Sequence, residues 1–190
     1  MSAMFASLVL TTVLGQSVPP PPTAQGSTSL SVGILAGHGR TWDDDGSIGS
    51  GSAFGGAVDY RFRPKLSVNG AVERLAHERD TGFLKFSGRT VFATIGVTYH
   101  VAATGVSPYV GGGFGGAFYS GELRDSFAAP PETRPRSSTS TLGYGNAGVD
   151  IPIGDRVVLS PDVRIALCQP QDDFAPWSTI RFGVKVAIRL

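Results

Sequence analysis

The sequence has a single cysteine, Cys168, among 190 residues. That excludes an internal disulfide framework and any multi-cysteine metal cluster. Charge is also scarce: charged residues make up 16% of the chain, against about a quarter in ordinary soluble domains. The formal net charge is only +1, so the basic footprint of a nucleic-acid binder is missing. No apolar run reaches the roughly 20 residues that a membrane helix requires. Low charge without a spanning helix leaves strands with an uncharged face as the class to test. Glycine, by contrast, is plentiful, at 26 residues.

The first 15 residues read as an export signal. Residues 4–14 (MFASLVLTTVL) form a short apolar stretch of signal-core length. Val13 and Gly15 suit the −3 and −1 positions, which predicts cleavage before Gln16. A signal should open with a basic side chain, yet the first one is Arg40. The expectation is therefore a start further upstream that supplies a basic leader. No cysteine follows the apolar stretch, which excludes a lipoprotein anchor. Residues 16–27 are Pro-rich and read as an extended linker.

From residue 28 to 190 the chain alternates with a period of two. Eight segments carry it: Thr28–Gly39, Ser52–Phe62, Leu66–Ala76, Thr90–Val101, Tyr109–Tyr119, Leu142–Ile151, Val157–Cys168 and Trp177–Leu190. In the fourth, Val91, Ala93, Ile95, Val97, Tyr99 and Val101 oppose Thr90, Thr94, Thr98 and His100. In the last, Ile180, Phe182, Val184, Val186, Ile188 and Leu190 oppose Arg181, Lys185 and Arg189. Such alternation marks two-faced strands. Segments of roughly ten residues are what a tilted strand needs to cross a bilayer. An eight-stranded, antiparallel, up-and-down transmembrane β-barrel is predicted.

The direction of the two faces follows from energy. Arg or Lys on a lipid face at midplane costs about 2–4 kcal/mol. The apolar faces hold no Asp, Glu, Lys or Arg. Asp59, Arg61, Glu73, Asp150, Asp162, Arg164, Arg181, Lys185 and Arg189 all lie on the opposite faces. The apolar faces are bulky at every level, whereas glycine and alanine fall largely on the polar ones. The interior of eight strands is narrow, so the charged faces are predicted to point inward.

Connection lengths support the same topology. Residues 63–65, 102–107 and 152–156 are short connections, and 42–51, 79–89, 120–141 and 169–176 are mostly longer. Strict alternation of short and long fits short periplasmic turns and long external loops, with both termini periplasmic. Tyr60, Phe62 and Tyr99 near the inner ends, and Trp42, Phe118 and Trp177 near the outer ends, fit aromatic girdles.

Three stretches carry a family resemblance: residues 107–120 (SPYVGGGFGGAFYS), 145–167 (GNAGVDIPIGDRVVLSPDVRIAL) and 181–190 (RFGVKVAIRL). Over residues 28–190 the chain resembles the small outer-membrane β-barrels of the OmpA/OmpX/OmpW type. The resemblance implies that the last stretch is an assembly signal read by the barrel-insertion machinery, with Gly183, Val186, Ile188 and Leu190 as its elements. Leu190 stands where the family usually ends in an aromatic residue. No peptidoglycan-binding domain is expected after strand eight.

Other motifs weigh against chemistry. Gly111 to Gly116 (GGGFGG) satisfies the dinucleotide fingerprint as text, but that fingerprint needs a helix after it, and here it lies inside a strand. Asp43-Asp44-Asp45-Gly46-Ser47 begins like a calcium loop yet has Phe54 where the bidentate Glu belongs. A solvated outer turn is the simpler reading. Among the histidines, His38 and His77 fall near the outer rim, where Asp43–Asp45 and Glu78 lie, and His100 at the inner end. A lipid-modifying site would need Ser and His converging at the outer rim, oriented by a carboxylate. Residues 120–141 are expected to form a mobile external loop, the best candidate for partner contact, against the equal reading of a loop with no partner.

Four acids and five bases turned inward must pair, because an unpaired buried charge costs several kcal/mol. The expected network pairs Asp162 with Lys185, sets Arg164 and Arg181 near Glu73, and leaves Asp59 and Arg61 near the inner end. It should plug the barrel. The expected function is non-enzymatic: envelope structure or surface contact, by a monomer that meets outer-membrane lipid and lipopolysaccharide. No cofactor, metal or nucleic-acid site is expected. Passage of small solutes is the alternative, and a lipid-modifying enzyme the third.

Overall fold

The computed structural model describes residues 28–43, 46–80, 84–125, 132–171 and 176–190. The predicted signal segment and Pro-rich linker lie outside the described residues. Eight strands follow one another: β1 (Ser29–Asp43), β2 (Gly46–Arg63), β3 (Leu66–Asp80), β4 (Leu84–His100), β5 (Ser107–Asp125), β6 (Glu132–Ile153), β7 (Val157–Pro170) and β8 (Trp177–Arg189). Each pairs antiparallel with the next, and β1 pairs with β8 to close the barrel. Closure runs in register from Ser31 opposite Arg189 to Asp43 opposite Trp177. No sheet edge is left open, which is what a strand structure in lipid requires.

The wall is inverted relative to a soluble barrel. Ile34, Phe54, Val72, Ile95, Phe114, Leu167 and Phe182 stand exposed on the outside, and Glu73, Asn69, Thr98 and Arg181 are buried within. The alternation of the sequence places each of them. Outward positions carry branched and aromatic side chains that favour strands. Inward positions carry the groups that need partners.

Short turns gather at one end, with the start of β1 and the end of β8: residues 64–65, 101–106 and 154–156. Gly154 sits at φ 68° in the last of them, a backbone conformation that favours glycine. Here that end is the turn end, and the opposite one is the loop end.

The strands are longer than expected at the loop end. β1 and β2 pair as far as Asp43 opposite Gly46, where a loop over 42–51 was predicted. β5 and β6 pair up to Asp125 opposite Glu132. The expected loop over 120–141 is therefore mostly a β-hairpin, with residues 126–131 outside the described residues. Beyond the apolar belt both faces of a strand meet water, so a period-two pattern carries no sequence signal there. The backbone ladder continues regardless, since a partner strand satisfies its N–H and C=O groups.

Candidate functional site

The lumen collects the polar side chains, and it is layered. At the turn end, Asp59 on β2 accepts from Lys185 Nζ on β8 at 2.7 Å. Asp150 on β6 accepts from Ser160 on β7 at 2.7 Å. The same carboxylate lies 3.2 Å from His100 Nδ1 and 3.4 Å from Arg61 Nη2. Ser67 Oγ stands 3.1 Å from His100 Nε2. A cavity of about 30 Å³ lies among these groups, with Ser29, Ser31 and Arg189 at its margin. That is the space of about one water molecule.

In the middle layer, Arg181 is 2% exposed and bridges two acids. Its Nε lies 3.1 Å from Glu73 Oε1, and its Nη2 donates to both Asp162 oxygens at 3.0 and 2.9 Å. Arg164 adds a longer contact to Glu73 Oε2 at 3.7 Å and stacks 4.6 Å above the Tyr144 ring. Tyr144 donates to Asn69 at 2.9 Å, and Asn69 donates to Thr98 at 2.8 Å. Guanidinium, ring and amide thus form one connected set across β3, β4, β6, β7 and β8. A cavity of about 20 Å³ remains between Glu73, Phe92, Tyr144 and Arg164.

Above this layer, toward the loop end, an apolar cluster is joined by buried polar pairs, Thr41 with Thr179 and His77 with Thr90, each at 2.8 Å. Leu75, Phe92, Leu142, Tyr144, Cys168 and Trp177 pack with Ala53, Ala117 and Ala166. The rings of Phe92 and Trp177 lie 6.0 Å apart and tilted by 52°, an arrangement favoured for aromatic pairs.

The predicted charged residues all face this lumen, but their pairing differs in one respect. Asp162 is held by Arg181, and Lys185 goes to Asp59; the expected Asp162–Lys185 pair does not form. Asp162 stands opposite Gly183, and Lys185 opposite Ser160. Arg181 is long enough to reach past Gly183 to Asp162, and its Nη1 lies 2.6 Å from where a Gly183 Cβ would be. Gly183 therefore makes room for that guanidinium. Arg164 and Arg181 do approach Glu73, and Asp59 and Arg61 do lie at the turn end. Of the other expected assembly residues, Val186, Ile188 and Leu190 stand exposed on the outer wall.

Two further expectations fail. Trp177 was placed in an outer aromatic girdle, yet it is buried against Phe92. Its parity with Arg181 and Lys185 already pointed inward. The interior was also expected to exclude bulky residues, but it holds Phe92, Tyr109, Tyr144 and Trp177. Space comes from staggering against glycine: a Cβ on Gly96 would collide with the Tyr144 hydroxyl. His100 was placed at the inner end from sequence, but its partners Ser67 and Asp150 were not read with it, and Asn69 and Ser160 were not singled out, because each looks ordinary until the strands pair.

Ser67, His100 and Asp150 are spaced like a hydrolytic triad. Arg61 Nη2 lies 2.7 Å from His100 Nδ1, and arginine only donates. Asp150 Oδ2 lies 3.2 Å from the same nitrogen, so a donor and an acceptor compete for it. The arrangement holds these charges around a cavity of about 30 Å³. Among the described residues, no cluster of His, Cys, Asp and Glu suits a metal ion.

A family model described as outer membrane protein beta-barrel domain matches residues 6–186. Among solved structures, Neisserial surface protein A is similar at 16% identity and a TM-score of 0.65, covering 86% of this chain and 99% of that one. A major outer membrane protein from Thermus thermophilus is similar at 15% identity and a TM-score of 0.63, with 86% and 100% covered. Ail, the attachment invasion locus protein of Yersinia pestis, reaches a TM-score of 0.58 at 16% identity, with 87% and 99% covered. Identities this low speak for the fold alone. A search of curated proteins finds no match.

Proposed function

This chain belongs to the outer-membrane β-barrel domain family, and from that premise we propose a non-enzymatic barrel with a plugged lumen, acting in envelope structure or surface contact. The observation that carries the reading is Arg181, buried and shared between Glu73 and Asp162. An arginine so held blocks the lumen at mid-height, and removing either acid would strand a charge. The apolar layer around Phe92 and Trp177 closes the loop end of the lumen above it. Solute passage would need both layers to move.

The short turns and both chain ends are the periplasmic end in this reading, and the loop end is external. The paired extension of β5 and β6 supplies a stiff external surface. Val186, Ile188 and Leu190, exposed on β8, are offered to the assembly machinery before they meet lipid. The barrel acts as a monomer among lipid and lipopolysaccharide.

Planar-bilayer recording tests the plug. Purified, refolded protein should show only leak-level current, and Arg181→Ala alone should leave it there, because the apolar layer around Phe92 and Trp177 still closes the lumen. Steady open-channel conductance of the unmutated protein would refute the proposal. Trypsin added outside intact cells tests the orientation separately: it should cut within residues 120–141 and spare the turns.

A further inference from the structure

The outer wall departs from the expected charge-free apolar faces at the loop end of the belt: Arg74, inside the predicted third segment, shares the outward parity of Val68 and Val72. Following the outward positions of β3 from the turn end gives Val68, Val72 and then Arg74; on β4, Ile95, Ala93 and Val91 lead to Arg89. Arg74 lies opposite Val91, and Arg89 opposite Ala76, so the two guanidinium-bearing positions are diagonal neighbours. The row continues from Arg89 to Ser120 on β5 and Ser137 on β6. Arg89 Nε donates to Ser120 Oγ at 3.2 Å. Arg74, Arg89, Ser120 and Ser137 line one groove of about 590 Å³. Toward the belt stand Val72, next below Arg74, and Phe118, next below Ser120, while Phe54 lies opposite Arg74; all three are at least half exposed.

We propose that this groove holds the phosphate group of a membrane lipid. The arginines and hydroxyls of the groove, to which Arg136 and Ser87 also belong, are donors that match phosphate oxygens, and a basic pocket beside an apolar surface is how lipid head groups are recognised. The commitment to a lipid rather than a soluble anion rests on continuity: acyl chains would run down Val72 and Phe118 while the phosphate stays on the arginines. Glu122 also lines the groove, and Glu78 lies near it. Both face Ser87, further from the belt than Arg89, at the level of head-group hydroxyls rather than of the phosphate. With the loop end external, the ligand belongs to the outer leaflet, and only that assignment rests on the proposed orientation.

Native mass spectrometry of the full chain in dodecyl maltoside, titrated with diphosphorylated lipid A, tests the site. Detergent binding is independent of orientation and of conductance, so failure here and failure of the plugged-barrel reading are separable. The unmutated protein should retain lipid A, and the double variant Arg74→Gln/Arg89→Gln should bind it at least tenfold more weakly. Arg40→Gln, which removes an outward arginine on β1, should leave binding unchanged. Circular dichroism verifies that each variant is folded. Equal binding by the double variant would overturn the proposal, as would an equal loss in Arg40→Gln. Undiminished binding of chemically dephosphorylated lipid A, or displacement of lipid A by millimolar inorganic phosphate, would overturn it too.

Discussion

Lys185 on β8 donates to Asp59 on β2 at 2.7 Å, although β1 lies between their strands. Bonds that skip strands recur in this lumen. Arg181 on β8 meets Glu73 on β3, and Tyr144 on β6 meets Asn69 on β3. Neighbouring strands are already tied by their ladders. The side-chain bonds instead tie together walls that the ladders leave independent.

The middle and turn-end pairs should differ in cost. Arg181 and its carboxylate partners have side chains only 3–5% exposed, against 16% and 19% for Lys185 and Asp59. Arg181→Met leaves Glu73 and Asp162 buried and under-partnered, which should lower stability by about 3–5 kcal/mol. Lys185→Met leaves Asp59 within reach of water, and the loss should be about 1 kcal/mol. Equilibrium urea unfolding in lipid vesicles measures both. Equal losses would mean that the lumen is hydrated throughout.

How much of this was legible in sequence depends on distance along the chain. Strand number, closure and the inward turn of the charges follow from parity, a local property that Ile95 and Thr94 already display. Pairing does not: whether Asp162 meets Lys185 or Arg181 depends on side-chain reach across Gly183, which no spacing rule contains. Ser67, His100 and Asp150 sit on three strands and meet only after closure. The polar extensions of β5 and β6 left no trace because water on both faces removes the alternation.

Gly96 and Tyr144 should show coupling. A Cβ at position 96 would meet the Tyr144 hydroxyl and lie 2.5 Å from the Gly112 carbonyl oxygen. Gly96→Ala should cost about 1–3 kcal/mol through overpacking. Tyr144→Phe removes one of the two obstacles, so the double variant should lose less than the sum of the singles, by about 1 kcal/mol. A double-mutant cycle by urea unfolding reads this directly. Strict additivity would show that the ring moves aside freely, and with it the stack under Arg164.

The depth of the outer wall gives a last expectation. Ile95 is 49% exposed and lies mid-belt on β4, with Val97 and Tyr99 on the turn side and Val91 on the loop side. Ser52 is also outward, on β2, but lies beyond Phe54 toward the loop end. If the wall meets a bilayer, the penalty for arginine must follow depth. Ile95→Arg, compared with Ile95→Ala, should cost about 2–4 kcal/mol, and Ser52→Arg, compared with Ser52→Ala, about 0–1 kcal/mol. Unfolding in vesicles measures both differences. A wall in water would make the two alike, since a solvated guanidinium pays no desolvation at either position. Equal small penalties would therefore remove the wall from the hydrocarbon, and the phosphate groove at its rim would lose the acyl chains that distinguish a lipid from a free anion.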